Sequence, residues 1–186
     1  YLTDRVIETY EELERREGLG AEAGSAEGRW PSLILGEEPL TWKEAWQLGE
    51  EGVKAMENLG ESWPSLSGFY PRPKPVGLSR ILSVQQLSGI YSPFTAEANF
   101  NRQMTPYNIP HTICHELSHL KGFMREDEAN FIGYLACILA DSLEYRYSGY
   151  LMGWIYATNA LYEADREAYF ELAGRLPERV NRALAA

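Results

Sequence analysis

The chain has 186 residues, of which 45% are hydrophobic and 24% charged, with a formal net charge of −10. That length and apolar share suit one compact domain spanning residues 1–186, with its own core, and exclude a fully disordered chain. With Lys and Arg scattered rather than clustered, the acidic balance argues against nonspecific binding to nucleic acid or anionic lipid, and no segment reaches the roughly 18 uninterrupted apolar residues of a membrane span.

In chain order, Leu2, Val6, Tyr10 and Leu13 mark an apolar stripe that predicts a helix over residues 2–17, charged on its outer face. Residues 18–28 are small and flexible in composition. They read as a connecting loop and not a domain boundary, since the preceding helix is too small to fold alone. Thr41 followed by Glu44 has the form of a capping box. The helix it opens carries Trp42, Ala45, Trp46, Gly49, Val53 and Met56 on one face, which predicts both tryptophans for the core. Pro64 and the alternating Pro71, Pro73 and Pro75 mark an extended surface connection. From Leu78 to Asn101 the helical period gives way to β-branched, aromatic and turn residues, predicting short strands near residues 81–84 and 89–94 joined to an irregular loop.

Residues 108–121 then form a predicted helix that holds His115-Glu116-Leu117-Ser118-His119, two of the chain's three histidines set around a glutamate. On a helix, positions i and i+4 project from one face, so both imidazoles can reach one metal ion while the carboxylate stands beside the remaining coordination position. The plain alternative is a helix with two half-buried, hydrogen-bonded histidines. His111 continues the same row, but two turns part it from His119, about 12 Å along the axis, too far for one ion with bonds of about 2 Å. Following Pro110, it is expected at the cleft mouth or packed near the helix start.

A third ligand is expected just downstream. Gly122 can take the left-handed conformation that ends a helix, and a second helical pattern runs from about residue 125 to residue 140. Glu126, Asp127 and Glu128 compete for the ligand position, with Glu126 favoured and Glu128 next. Asn130, one turn beyond Glu126, is expected to orient its carboxylate. The strand segment directly ahead of the histidine helix is a candidate edge for pairing with an extended peptide, with Tyr91, Glu97 and Asn99 facing the cleft. Cys114 and Cys137 both fall in predicted helices; buried free thiols are the simpler expectation, and a disulfide is the alternative in an oxidising compartment. Further helices are expected at residues 143–160, 162–175 and from 177. Tyr150, Leu151, Trp154, Ile155 and Leu161 form a wide apolar stripe for the core, part of which could face lipid or a partner.

Ser83-Val84-Gln85-Gln86, the run from Gly89 to Asn99, the HELSH helix, the run from Gly122 to Phe131 and Arg146-Tyr147-Ser148-Gly149-Tyr150 resemble the bacterial domain-of-unknown-function family 3810 across residues 79–150. That family is similar to gluzincin-type zinc metallopeptidases, whose third ligand is a glutamate on the helix after HExxH, often followed by Ala-Asn or Ala-Asp. The resemblance implies a predominantly helical α+β fold, a zincin-like active-site helix followed by a glutamate helix, with a small β segment upstream. It also implies Zn2+ as cofactor and His115, His119 and Glu126 as ligands, the last from Glu126-Asp127-Glu128-Ala129-Asn130. The connection is short, with Glu126 only seven residues beyond His119. Arg125 stands where a metzincin would carry its third histidine. Membrane-spanning helices ahead of the metal-binding region in that family imply an extracytoplasmic domain of a membrane-anchored parent. A chain that begins at Tyr1 is accordingly expected to be a piece of a longer protein.

The function expected is zinc-dependent hydrolysis of a peptide or protein substrate. Glu116 would carry a proton from water, acidified to a pKa of about 7 by the metal, to the leaving amine. Tyr147 is the first choice for steadying the oxyanion, ahead of Arg146 and Tyr91. The alternatives are a catalytically silent zinc-binding domain with a structural or signalling role at the membrane, and a helical interaction domain without metal. Glu116 speaks against the first, since a structural zinc site does not require it.

Overall fold

A computed structural model describes residues 1–23, 34–36, 39–76, 89–92 and 97–185, the side chains of residues 20–23, 90 and 91 excepted. Among the described residues helix predominates and three short strands form one sheet, an α+β arrangement.

Helix α1 (Leu2–Ala23) buries Val6, Tyr10 and Leu13 as their spacing predicts. It runs past the predicted end at residue 17, through Gly18, to Ala23. Leu19, Ala21, Glu22 and Ala23 are good helix formers, and the two glycines among them, Gly18 and Gly20, cost only about 1 kcal/mol each.

Helix α2 (Trp42–Ser62) starts at the capping box: the Glu44 N–H donates to Thr41 Oγ1 at 3.4 Å and the Thr41 N–H to Glu44 Oε2 at 2.8 Å. Its tryptophans depart from the expectation. Trp42 is 45% and Trp46 37% exposed, while Leu48, Ala55, Met56 and Leu59 fill the core. The buried arc centres on the small residues Ala45, Gly52 and Ala55, which puts both indoles at its edge. There Arg102 lies over the Trp42 ring at 4.9 Å and Arg72 over that of Trp46 at 5.8 Å.

The proline-rich connection contains a 3-10 turn (Pro64–Leu66) and strand β1 (Lys74–Pro75). Strand β2 (Gly89–Ser92) falls within the segment predicted as a strand, whereas β3 (Glu97–Phe100), expected as irregular loop, is the central strand of the order β1-β3-β2. It alternates, burying Ala98 and Phe100 on the face toward the helices. The strand predicted at 81–84 lies outside the described residues.

A 3-10 turn (Pro106–Asn108) leads into α3 (Ile109–Leu120), the hub of the fold, which contacts α2, β2, β3 and the two helices that follow it. Those are α4 (Glu126–Ile138) and α5 (Leu143–Ala164), the latter lying along α1. Two shorter helices, α6 (Arg166–Gly174) and α7 (Glu178–Ala185), complete the chain. Tyr150, Leu151 and Trp154 of the predicted stripe are buried. Cys114 and Cys137 are buried free thiols in contact across α3 and α4, and burial pushes the Cys137 thiol well up. Among the described residues no helix is long and apolar enough to cross a membrane.

Candidate metal centre

Helix α3 is buried nearly all round, so each polar group on it needs a partner. Its first turn has no side-chain cap of its own, and the His111 N–H donates instead to Ser148 Oγ of α5 at 3.2 Å. After its last turn Gly122 adopts φ +89°, the left-handed conformation that favours glycine, and the chain reverses into α4. Close packing follows: Gly133 of α4 sits against His111, where a Cβ would lie 3.2 Å from Nε2.

This reversal brings His115, His119 and Glu126 together, with ligand-capable atoms all within 4.8 Å of one another. The two Nε2 atoms are 3.1 Å apart. Glu126 Oε2 lies 3.3 Å from His115 Nε2, and Oε1 3.7 Å from His119 Nε2. A tetrahedral ion with bonds of about 2.0–2.1 Å holds its donors about 3.3 Å apart, so the spacing fits Zn2+ without rearrangement of the helices.

The hydrogen bonds behind the rings fix the Nδ1 side of each. His115 Nδ1–H donates to Asn130 Oδ1 at 2.8 Å, and His119 Nδ1–H donates to the Phe123 carbonyl at 2.7 Å. Both acceptors are oxygens with no proton to give, so both rings carry a proton on Nδ1, which leaves Nε2 as the nitrogen each ring can offer a metal. Burial, and then the neighbouring His119, pull the pKa of His115 down, which keeps that ring neutral and ligand-competent.

The other acids of the cluster are engaged elsewhere. Arg125 donates to both Asp127 oxygens, at 3.1 and 2.6 Å, and its Nε is 3.9 Å from Glu128. Glu126 alone of the three turns to the histidines. Asn130 differs from the expectation: its side chain orients His115 and not the Glu126 carboxylate, and its backbone carbonyl accepts from His111 Nε2–H at 3.2 Å. His111 is 3% exposed beside the cluster, not a member of it.

Glu116 lies between the histidines in sequence and is 6% exposed. Burial first, and the Glu126 charge second, raise its pKa to about 7. It faces β2 at Gly89, where a Cβ would lie 2.7 Å from the carboxyl carbon; only glycine leaves the carboxyl its place.

Beside the cluster is a polar chamber of about 320 Å3, bounded by Asn108, His111, His115, Glu126, Asn130 and Tyr156 among others. The Asn108 Oδ1 is buried without a hydrogen-bond partner. The Tyr156 ring is 6.4 Å from that of His111, and burial, then the Glu126 charge, raise its pKa.

Tyr147 is not brought to the site. It is 1% exposed in the core, where its pKa is raised by burial and influenced by Tyr10, Tyr107 and Arg179. On a helix it points away from the face that carries Tyr156, nine residues on. Arg146 donates to the Ala140 and Asp141 carbonyls, each at 3.1 Å, closing the end of α4. Glu97 is ion-paired to Lys74, Asn99 lies opposite Ile90 in the β3–β2 ladder, and the side chain of Tyr91 is outside the described residues. Tyr156 and Gly89 were missed in the sequence. A glycine within a strand pattern is the signal that could have found Gly89; Tyr156 had none beyond its residue type.

A family model described as "Protein of unknown function (DUF3810)" matches residues 2–186. No curated protein and no solved structure matches the chain.

Proposed function

As the chain belongs to the DUF3810 family along residues 2–186, a family whose description names no activity, we propose from its site that it is a zinc-dependent peptidase. The observation that carries this reading is the pair of Nε2 atoms 3.1 Å apart, closed by the Glu126 carboxylate and flanked by a buried glutamate.

His115, His119 and Glu126 would hold the ion, and Asn130 and the Phe123 carbonyl would hold the rings. Bound Zn2+ supplies Lewis acidity, acidifying water and polarising a carbonyl oxygen. Glu116, with its pKa near 7, takes the proton of the attacking water on its carboxylate and returns it to the leaving amine nitrogen. The Tyr156 hydroxyl, kept protonated by its raised pKa, donates to the oxygen of the carbonyl under attack in place of the buried Tyr147. Among the described residues β2 has β3 as its one strand partner. This strand, whose Gly89 packs against Glu116, is where the substrate backbone would lie in extended form.

Glu116→Gln is the test. The expected outcome is zinc content equal to that of the unaltered chain, by mass spectrometry, and peptide hydrolysis reduced by roughly 100-fold or more. Undiminished hydrolysis would remove Glu116 from the mechanism. Retained zinc with no hydrolysis by either protein would favour the silent zinc-binding domain.

A further inference from the structure

A second concavity, of about 610 Å3, opens between α4 and α5 beside the metal chamber, and its lining is almost wholly apolar. Asp127, Asn130, Phe131 and Tyr134 follow one another at i, i+3, i+4 and i+7 along its α4 wall, and Tyr156 and Ala157 stand on the α5 wall. Position 153 on α5 is glycine. A Cβ there would come 2.7 Å from a Tyr134 ring carbon, so its absence lets that ring lie against α5 as part of the groove's lining.

Two features tie the groove to the metal site. Asn130 and Tyr156 line both concavities, so the groove continues directly from the chamber. Its aromatic walls also stand in water: Phe131 is 60% and Tyr156 50% exposed, and Phe131 stacks on Tyr134 at 6.4 Å. Asp127, the one acid on the wall, is neutralised by Arg125. A slot of this volume falls within the roughly 300–1,000 Å3 of sites that enclose small ligands, whereas a stable protein dimer needs a face of roughly 800 Å2 from each partner.

We infer that the groove between α4 and α5 is the subsite for a bulky apolar side chain, aromatic or large aliphatic, flanking the scissile bond of the peptide. The inference rests on the peptidase reading. It makes the enzyme selective for substrates with an apolar residue next to the cleavage point, and it gives Tyr156 two contacts, one with the carbonyl and one with the side chain.

Calorimetry on the zinc-loaded protein separates the inference from the reading beneath it. Two chelating probes are titrated: acetohydroxamate, which offers the metal its chelating group and a methyl, and 3-phenylpropanohydroxamate, which adds an aromatic group on a short arm. The expected result is tighter binding of the aromatic probe by roughly 10- to 200-fold, the range for apolar groups entering an apolar pocket, with the difference lost in A157W. Ala157 is exposed on α5, so the indole fills the groove without entering the core. Equal affinities in the unaltered chain would overturn the groove and leave the metal reading standing. So would an aromatic preference that survives A157W. If neither probe binds protein that retains its zinc, the open metal site fails and the groove assignment falls with it. A dimer by sedimentation that A157W disperses would assign the groove to a second copy of the chain, and would also overturn the inference.

Discussion

Helices α2 and α3 pack against each other and sort their side chains in opposite ways. Helix α2 leaves Trp42 and Trp46 partly in water, while α3 buries His111, Glu116, Ser118 and His119. Hydrophobicity alone would reverse both choices. On α2 the contact face is given to small residues: a Cβ at Gly52 would come 2.8 Å from the Tyr145 hydroxyl and would overlap Ile113 of α3. An indole has no room there. On α3 the buried histidines and Ser118 are tolerated because each has a partner, from Ser118 Oγ donating to the His115 carbonyl at 2.6 Å to the two Nδ1–H bonds behind the proposed ligands. Close approach decides burial on one helix and chemistry decides it on the other.

The largest effect that would break this comparison is on the metal. His119→Ala removes one of two facing Nε2 atoms. It should cost more zinc affinity than the roughly 100-fold typical of losing a group behind a ligand, so that zinc per chain falls from about one toward zero at micromolar free metal. Trp42→Ala on the neighbouring helix should leave zinc content alone. Mass spectrometry of the two variants reads the contrast, and full zinc retention in His119→Ala would end the assignment of the cluster.

The sequence carried these two helices unequally. The HELSH spacing, Gly122 and the acidic start of α4 were enough to bring His115, His119 and Glu126 together, because helix geometry and one left-handed residue fix the directions of all three. Side-chain direction within the acidic run was weaker: nothing in Glu126-Asp127-Glu128 announces that Arg125 takes up the second and third acids. Asn130 stood at the right spacing, but the choice between Glu126 and His115 as its partner depends on how closely Gly133 lets α4 approach. The small-residue arc of α2 was visible in Ala45, Gly52 and Ala55, yet an apolar stripe read at 3.6-residue period gives indoles more weight than glycines. Strand β3 was hidden by its composition, since Glu97, Ala98 and Asn99 are of types depleted in strands.

A middle-sized effect separates the buried titratable groups of α3 from one another. His111 has its pKa lowered to about 4 by burial, against 6.5 in the unfolded chain. Unfolded chains therefore take up a proton between pH 6.5 and 4 that the folded protein refuses, and stability falls by about 3 kcal/mol as pH drops through that window. Glu116 works in the opposite sense. Its folded pKa of about 7 lies above the usual 4.5, so the stability it contributes is full below pH 4.5 and declines, by a similar amount, as pH rises to 7. His115, also lowered, and Tyr156 are the titratable groups nearest His111. In metal-free protein held in chelator, urea midpoints against pH should lose much of their acid-side fall in His111→Gln and their rise below pH 7 in Glu116→Gln. A curve unchanged by His111→Gln would mean that this ring is hydrated in the folded state.

The smallest effect tests α2 itself. A fully buried large side chain cut to alanine costs about 2–5 kcal/mol, which is the loss expected for Leu48→Ala at 0% exposure. Trp42→Ala removes an indole that is nearly half in water and a cation–π contact with Arg102, itself worth about 0.5–1 kcal/mol at an exposed position. Its loss should therefore stay near 1 kcal/mol, with Trp46→Ala alike, both read from urea unfolding at constant slope. If Trp42→Ala matched Leu48→Ala, the indole would belong to the core as its helical spacing first suggested, and the approach of α3 could not be what keeps it at the edge.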